Sequence, residues 1–407
     1  MHLWGVGRAL GIDRASVGKI TRQPVSTSAR EDYVPFGDAA ALRLFGGDWD
    51  GYVAVICTDA VGSLVPAPPR AIYAVPNLQH LRDGDVVTTR PDGGVRVWYR
   101  RASLHNAILL TEQCNSFCLM CSQPPKLRDD SDRVALILRL IELIDPATGG
   151  LVLSGGEPTL LGDEFLRIIQ RMHDRLPGTG VHVLTNGRKF SDAPFAHRLA
   201  RIEHNDLVLG IPLYSDIDWR HDYVVQARGA YDETIAGLYN LAAARVRLEV
   251  RVVLHQQTIH RLPQLAGFIA RNLPFVEHVA LMGLEMFGFT PQNLDVLWAD
   301  PLDYVELLEA AVRALALSGM NVSIYNHQLC TLPRTLWPFA RKSISDWKNV
   351  YAQECQACGV LEYCGGMFQS GTKRHSRGIR AQPPLHGSAR DAMDLLTWRP
   401  VADAGGP

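Results

Sequence analysis

Residues 111–121 read Thr111-Glu112-Gln113-Cys114-Asn115-Ser116-Phe117-Cys118-Leu119-Met120-Cys121, and they place three cysteines at C-x3-C-x2-C spacing after the apolar run 107–110. Such spacing lets three thiolates converge from one tight loop on one metal centre. A four-iron cluster takes four ligands, so three thiolates would leave one iron open, and an open coordination site is where metal chemistry happens. The alternatives are a zinc loop or three unrelated buried cysteines. Zinc sites typically have a second Cys or His pair, and no such pair follows closely in the sequence.

A second short stretch indicates a ligand site beside this loop. Residues 149–154 are predicted to form a strand, and Gly155-Gly156-Glu157-Pro158 follows at its end. Two glycines let the backbone approach a ligand closely, and Pro158 ends strand pairing. Alone, these four residues would more often form a plain turn. Their place after a cysteine loop and a predicted strand makes a binding site the better interpretation.

Composition and charge exclude several classes of protein. The chain has 407 residues, 47% of them hydrophobic, and a formal net charge of −1 from 41 basic and 42 acidic residues. This balance argues against a broad nucleic-acid surface. The sequence contains no apolar run of membrane-spanning length and no signal-peptide pattern at its start, so we expect a cytoplasmic protein. In a reducing compartment clustered cysteines favour metal binding over disulfides, and all cysteines except Cys57 fall into two clusters.

The amino-terminal part is predicted to be a small β-rich domain, residues 1–103. Asp92-Gly93-Gly94 indicates a hairpin, because the alternating residues that follow are typical of a half-buried strand. The predicted strands lie at 52–57, 71–75, 83–89 and 95–100.

Residues 104–300 alternate between strand and helix patterns, which favours an α/β fold with a parallel sheet. The six predicted strands lie at 107–110, 151–154, 181–184, 206–213, 248–254 and 276–282. Six β/α units with polar residues at the strand ends describe a partial (β/α)6 barrel, built like part of a TIM barrel. Polar candidates at these ends are Asn186 after the third strand, Ser215 after the fourth, Arg251 within the fifth and Glu285 after the sixth.

The carboxyl-terminal part is predicted to contain a cysteine-rich domain, 301–370, that opens with a helix over 301–318. Its cysteines are Cys330 and, 25 residues later at C-x2-C-x5-C spacing, Cys355, Cys358 and Cys364. Four thiolates are a normal ligand set for structural zinc, so a zinc site is one interpretation of this group. Residues 371–407 are rich in Arg, Pro, Gly and His and are predicted to form an extended or disordered tail.

The cysteine loop and the Gly-Gly-Glu-Pro turn together resemble the signature of the radical S-adenosylmethionine (SAM) superfamily, whose core is a six-unit partial barrel. The resemblance implies a [4Fe-4S] cluster on Cys114, Cys118 and Cys121, with SAM on the open iron. It also implies a set of SAM-binding residues: Gly155, Gly156, Glu157 and Pro158 at the methionyl end, Ser215 at the ribose, Arg251 at the carboxylate, and Asn186. Asn186-Gly187 is also a turn signal by itself, and Arg251 could equally be an ion-pair partner at the barrel edge.

The second cysteine group resembles the auxiliary-cluster region of SPASM and Twitch radical SAM proteins. SPASM proteins usually have another cysteine where this chain has Phe368, so the resemblance implies one auxiliary [4Fe-4S] cluster rather than two. Cys330 could complete its four ligands, or three cysteines could leave an open iron. Zinc on all four remains the alternative.

Three further stretches are similar to the C-type radical SAM maturase of the His-Xaa-Ser peptide-modification system. They are Cys118-Leu119-Met120-Cys121-Ser122-Gln123-Pro124-Pro125-Lys126, Ala280-Leu281-Met282-Gly283-Leu284-Glu285 and Ser343-Ile344-Ser345-Asp346-Trp347-Lys348-Asn349. The resemblance runs from about residue 81 to 380. It implies a ribosomally made substrate peptide with His-Xaa-Ser repeats, a reductant protein and often a second radical SAM maturase. An auxiliary cluster that accepts an electron would be consistent with an oxidative crosslink.

Two other functions stay open at this point. One is a radical SAM enzyme that acts on a small molecule or a nucleic acid. The other is a non-catalytic protein that binds the peptide for another maturase. The intact cysteine loop and Gly-Gly-Glu-Pro turn argue against the second.

Overall fold

The computed structural model describes residues 3–127, 129–342 and 350–387. The chain divides into two compact units. The first takes the described residues of Met1–Leu110, Asp129–Val152 and Arg167–Thr179, and the second those of Thr111–Arg128, Leu153–Leu166 and Gly180–Pro407. The four-part domain division predicted from the sequence stays a prediction.

The first sheet has eight strands in the order β1-β8-β7-β3-β4-β5-β6-β2. These are β1 (Trp4–Val6), β2 (Arg8–Leu10), β3 (Ser16–Thr21), β4 (Tyr33–Gly37), β5 (Val55–Cys57), β6 (Ala71–Tyr73), β7 (Val86–Thr89) and β8 (Gly94–Tyr99), with a short helix α1 (Ala39–Leu42) after β4. The two end strands, β1 and β2, are joined by Gly7 alone, so the sheet closes on itself. A Cβ on Gly7 would lie 2.2 Å from the Tyr73 carbonyl oxygen, which explains why glycine stands at the junction.

The predicted hairpin of this unit is confirmed. Strands β7 and β8 pair antiparallel, and the Asp92 carboxylate accepts a hydrogen bond from the Gly94 N–H at 2.9 Å in the turn. Strands β1 to β4 were not predicted, because their sequences lack a clear alternation of apolar and polar residues. Most residues of one hydrophobic cluster of this unit lie in strands; the cluster consists of Ile20, Val34, Phe36, Ile56, Ile72, Val75, Leu78, Leu81, Val87, Val95 and Val97.

The second sheet has seven strands in the order β15-β14-β13-β12-β11-β10-β9. They are β9 (Asn106–Leu109), β10 (Gly150–Ser154), β11 (Gly180–Leu184), β12 (Leu207–Pro212), β13 (Arg247–Leu254), β14 (His278–Gly283) and β15 (Asn321–Tyr325). The neighbours from β11 to β15 all pair in parallel. The predicted α/β class with a parallel sheet is confirmed, and the sheet is compatible with a partial barrel.

Helices follow most strands of the second sheet. They are α2 (Ser131–Leu143), α3 (Asp163–Arg175), α4 (Ala193–Ala200), α5 (Asp218–Val225), α6 (Ala230–Ala243), α7 (Gln256–Ile259), α8 (Leu262–Asn272), α9 (Leu294–Leu297) and α10 (Pro301–Leu317). Helix α10 begins where its sequence predicts, since Asp300 caps the Leu302 N–H at 3.0 Å and Pro301 takes the first turn. It leads into β15, which adds a seventh strand to the six that were predicted.

The remaining described chain is made of short 3-10 turns, the last at Gln369–Lys373. No helix within the described residues is long and apolar enough to cross a membrane. The stretch 343–349, which contributes to the family resemblance, and most of the predicted tail, 388–407, lie outside the described residues.

Candidate active site

The three-cysteine loop is fixed by backbone hydrogen bonds within the second unit. The Phe117 N–H donates to the Val225 carbonyl at the end of α5, at 3.0 Å. The Cys121 carbonyl accepts from the Phe289 N–H at 2.9 Å, and the Cys121 N–H donates to the Cys118 carbonyl at the same distance. The loop therefore has a defined shape that does not depend on its side chains alone.

The three cysteines of the loop are half-buried, and their thiols are close enough to influence one another. Burial raises the pKa of all three, and it raises that of Cys114 to about 11. The thiols of Cys121 and Cys114 raise the pKa of Cys118 further. Metal ligation needs thiolates, and a nearby cation is what would stabilise them here. This donor set therefore fits an iron–sulfur cluster.

A site for a single metal ion makes a different demand on the side chains from a site for a cluster. Across the described ranges, no group of three or more His, Cys, Asp or Glu side chains is placed so that it could hold one metal ion.

The Gly155-Gly156 turn packs directly against the start of the cysteine loop. The Gly156 N–H donates to the Thr111 carbonyl at 2.9 Å. A Cβ on Gly156 would lie 2.1 Å from the Gln113 carbonyl oxygen and 3.1 Å from the Cys114 Cβ. On Gly155 it would lie 2.7 Å from the Thr111 oxygen. In this structure the glycines thus permit close approach to the cysteine loop itself, whereas the sequence predicted approach to a ligand.

The Glu157 side chain ties this turn to the end of β11. It is completely buried and accepts hydrogen bonds from the Thr159 N–H at 2.9 Å, the Thr185 hydroxyl at 2.7 Å and the Asn186 N–H at 2.6 Å. Burial raises its pKa, while these bonds oppose the rise. Pro158 begins the following short 3-10 helix and is also buried. The carboxylate holds the two strand ends in register.

The other candidate residues lie at strand ends as expected. The Asn186 amide donates to the Asn115 side-chain oxygen at 2.6 Å, inside the cysteine loop. Ser215 is buried after β12, and its hydroxyl accepts from the Ile217 N–H at 3.1 Å. Glu285 is half-buried after β14. A direct role of these residues in SAM binding stays a prediction.

The second cysteine group surrounds a cavity of about 330 Å³. Burial raises the pKa of the Cys364 thiol, and the nearby Cys355 and Cys358 raise it further. Burial and the nearby Cys364 raise the pKa of Cys330. The cysteines that line the cavity are Cys330, Cys355, Cys358 and Cys364. The structure thus brings together the four thiols that the sequence grouped.

A second cavity, of about 640 Å³, adjoins the four-cysteine cavity. The two share Gln328, Gly366 and Met367 as lining residues. Leu284 also lines the second cavity and belongs to a hydrophobic cluster against which Cys118 packs as well. A molecule in this cavity would therefore lie beside the second cysteine group.

The walls of this larger cavity combine aromatic and polar groups. The Arg374 guanidinium lies over the Trp298 ring at 5.1 Å from its centroid. The Tyr304 hydroxyl is 2.8 Å from His327 Nε2, and the His327 Nδ1–H donates to the Tyr325 carbonyl at 3.0 Å. Burial lowers the pKa of His327 to about 4, so this imidazole is neutral near pH 7. Sequence reasoning missed the cavity because its lining comes from distant segments.

The comparison with family models identifies part of this chain. Residues 108–269 match the family described as the radical SAM superfamily. This part of the chain is therefore similar to a radical SAM domain. The match includes the cysteine loop, the Gly-Gly-Glu-Pro turn and the strands from β10 to β13. No curated protein matches the sequence.

Solved structures with similarity to this chain share its fold only distantly. SuiB of Streptococcus suis bound to S-adenosylmethionine has 13% identity over 69% of this chain and 77% of its own, with a TM-score of 0.48. SuiB bound to the precursor peptide SuiA has 14% identity over 56% and 49%, with a TM-score of 0.42. Native anSMEcpe with bound AdoMet has 16% identity over 54% and 63%, with a TM-score of 0.41. In the peptide-bound SuiB comparison, the chain spans about half of the other protein's length.

Strands β11, β13, β14 and β15 also carry a buried polar network whose partners the sequence did not predict. Arg251 donates to Glu249 at 2.6 Å, and His278 Nδ1 lies 2.6 Å from the other Glu249 oxygen. His278 Nε2 in turn lies 2.9 Å from the Ser323 hydroxyl, and His182 is 3.4 Å from Glu249. Arg251 is therefore an ion-pair partner in this structure, and its contact with SAM stays a prediction.

The charge of Glu249 holds this network together. Burial alone would raise the pKa of Glu249, but Arg251, the nearby His182 and the hydrogen bond with His278 outweigh burial and hold the pKa well below 4.5. Glu249 and Arg251 alternate with apolar residues along β13, which places both on one face. That alternation was the only feature of the sequence that indicated the network. Nothing in the sequence indicated that His182, His278 and Ser323 would join it.

Replacing Glu249 by glutamine should destabilise the protein by about 3 kcal/mol near pH 7, because it leaves the Arg251 charge buried without its partner. The folded pKa is depressed, so the contribution is fully present above pH 4.5 and is lost as the pH falls through the folded value. Chemical denaturation of both proteins from pH 7 downward should show the gap shrinking below pH 4.5. The control is Glu277→Gln, which breaks a half-exposed pair with Arg247 and should cost under about 1 kcal/mol. Equal costs for the two variants would contradict the prediction.

Proposed function

We propose that this chain is a radical SAM enzyme that modifies a ribosomally made peptide, of the His-Xaa-Ser type. The observation that carries the proposal is the set of three half-buried cysteines in one loop, which packs against the Gly-Gly-Glu-Pro turn within the residues that match the radical SAM superfamily. When bound, the cluster supplies the electron that cleaves SAM to methionine and a deoxyadenosyl group, which takes hydrogen from the substrate.

The residues of the chain would hold and orient these groups. Cys114, Cys118 and Cys121 would ligate the cluster as thiolates. The backbone of Gly155 and Gly156 would face the methionyl end of SAM, together with Glu157 and Pro158. Ser215, Arg251 and Asn186 are the remaining proposed SAM contacts, by family resemblance. Because Glu157 accepts bonds from residues at two strand ends, its part would be to keep the turn in place.

An auxiliary [4Fe-4S] cluster is proposed for the second cysteine group. Four thiols around one cavity support it. The pKa of Cys330 is raised in part by Cys364 and Cys355, and that of Cys364 in part by Cys355 and Cys358, which indicates that the thiols are close together. A cluster ligated by four cysteines would suit electron acceptance after an oxidative crosslink. Structural zinc is the competing proposal, and metal analysis distinguishes the two.

The substrate would occupy the cavity that adjoins the four-cysteine group. This cavity combines apolar walls with a few polar groups, as ligand pockets do. The Trp298–Arg374 pair offers a flat surface for a side chain of the substrate. His327 is neutral near pH 7 and therefore adds no charge to the cavity. An extended peptide could present one residue at a time to such a site. A reductant protein and a second radical SAM maturase are the further partners proposed.

The test is anaerobic reaction of the reconstituted chain with SAM, a reductant and a synthetic peptide with His-Xaa-Ser repeats. We expect 5′-deoxyadenosine and a peptide that has lost a pair of hydrogen atoms per modified site. The control Cys118→Ala should form neither product. Trp298→Ala should still form deoxyadenosine but should modify less peptide, because only the cavity wall is changed.

The other results of this experiment would each favour a different function for the chain. Deoxyadenosine without a change in peptide mass would favour mass-silent epimerisation, which deuterium uptake detects, or a small-molecule or nucleic-acid substrate. No deoxyadenosine from a fully reconstituted chain would favour a non-catalytic peptide-binding partner.

A further inference from the structure

Arg188 contacts the part of the cysteine loop that lies between its first two cysteines. Its Nη1 donates to the Asn115 carbonyl oxygen at 2.6 Å and to the Ser116 hydroxyl at 3.2 Å. Asn115 and Ser116 directly follow Cys114 and precede Cys118 by two residues or more. A single guanidinium therefore bridges two points of the segment that sets the distance between two proposed ligands.

The Arg188 guanidinium is itself held in place by an acidic side chain. Arg188 Nε donates to Glu233 Oε2 on α6 at 2.5 Å. The Arg188 N–H donates to the Asn186 side-chain oxygen at 3.1 Å, and the Asn186 amide donates to Asn115 at 2.6 Å. Two side chains of the turn after β11, Asn186 and Arg188, thus donate hydrogen bonds to Asn115. Arginine suits this position because its planar donors can serve several acceptors at fixed angles.

Arg188 also brings a positive charge to the thiols. Its side chain is 13% exposed, so solvent screens that charge only in part. Because Arg188 Nη1 donates to Asn115, which directly follows Cys114, the charge lies against the segment that carries the thiols. Glu233, at 45% exposure, sits on the solvent side of the pair.

We propose that Arg188 is a positioning residue that holds the Cys114–Cys118 segment and raises the reduction potential of the cluster bound there. The proposal rests on the proposed function, because it needs that cluster. Reduction adds one negative charge to the cluster, and net charge and hydrogen bonding near a cluster set its potential. A fixed cation nearby favours the reduced state, while Glu233 partly offsets this effect.

The experiment is a redox titration of the full chain, reconstituted anaerobically and followed by electron paramagnetic resonance. The signal to follow is the one that changes when SAM is added, which separates this cluster from an auxiliary one. The variants are Arg188→Gln, Arg188→Lys and Glu233→Gln, and iron content is measured for each.

Removal of the charge should make the cluster harder to reduce. For Arg188→Gln we expect about a tenfold lower ratio of reduced to oxidised cluster at a fixed potential, which is a downward shift of about 59 mV for one electron. Arg188→Lys keeps the charge but not the forked donors, so its potential should stay near that of the unmodified chain while the cluster is lost faster. Glu233→Gln should shift the potential upward.

The results separate this inference from the proposed function. If the unmodified chain binds no SAM-responsive cluster, the proposed function fails first. If it does bind one, an unchanged potential in Arg188→Gln overturns the role of the charge. If Arg188→Gln cannot be loaded, Glu233→Gln decides, and an unchanged potential there has the same meaning.

Discussion

Cys118→Ala should lose about half of the bound iron and all detectable cleavage of SAM, because a [4Fe-4S] cluster needs every thiolate of the loop in addition to its open site. Cys118 is the most deeply buried thiol of the three, and its two neighbours affect its pKa. Alanine cannot replace it as a ligand. The auxiliary cluster should remain, since its four cysteines line a separate cavity.

Cys364→Ala should give the complementary result. It should lose the other half of the iron while the SAM-responsive signal persists. The matched control is Cys57→Ala, since Cys57 is a buried cysteine in the core of the first unit and belongs to neither group. That variant should keep all of its iron. Iron, sulfide and zinc are measured on the same samples.

Two results would contradict these expectations. Zinc in the unmodified chain that disappears with Cys364→Ala would replace the auxiliary cluster by a structural zinc site. Full iron content in Cys118→Ala would mean that the loop does not hold a cluster.

The cysteine loop and the turn beside it could be predicted because their chemistry is local in sequence. Three cysteines within eight residues leave little freedom for where the thiols point, and a parallel β/α sheet brings strand ends to one edge. The hairpin at Asp92 was predictable for the same reason. Strand β15 was not, because the polar residues Asn321 and Ser323 interrupt its apolar residues.

Long-range partners could not be predicted. Arg188 follows an Asn-Gly turn that explains itself locally, and only folding brings its side chain to Asn115. Glu249 likewise contacts His278, 29 positions away, and His278 contacts Ser323, 45 positions further along the chain. The two glycines were predicted to approach a ligand, and their close approach to the cysteine loop had no signal in the sequence.

Gly156→Ala should disrupt the cluster site although it removes no ligand. The added Cβ would lie 2.1 Å from the Gln113 oxygen and 2.6 Å from its carbonyl carbon, and both are backbone atoms that cannot rotate away. The turn and the cysteine loop must separate, and Cys114, whose Cβ would be 3.1 Å away, must move with the loop. Overpacking of this kind typically costs about 1–3 kcal/mol.

Because the strain displaces the loop that carries the ligands, the fraction of chains that hold a cluster should drop by about tenfold or more, while most of the fold survives. The measurement is the SAM-responsive resonance signal per chain, together with the thermal midpoint of unfolding. Gly149→Ala is the control, because a Cβ there meets nothing within 4 Å. It should leave both readings unchanged. If Gly156→Ala also keeps a full signal and an unchanged midpoint, the turn does not pack against the cysteine loop, and the close approach that explains its glycines is wrong.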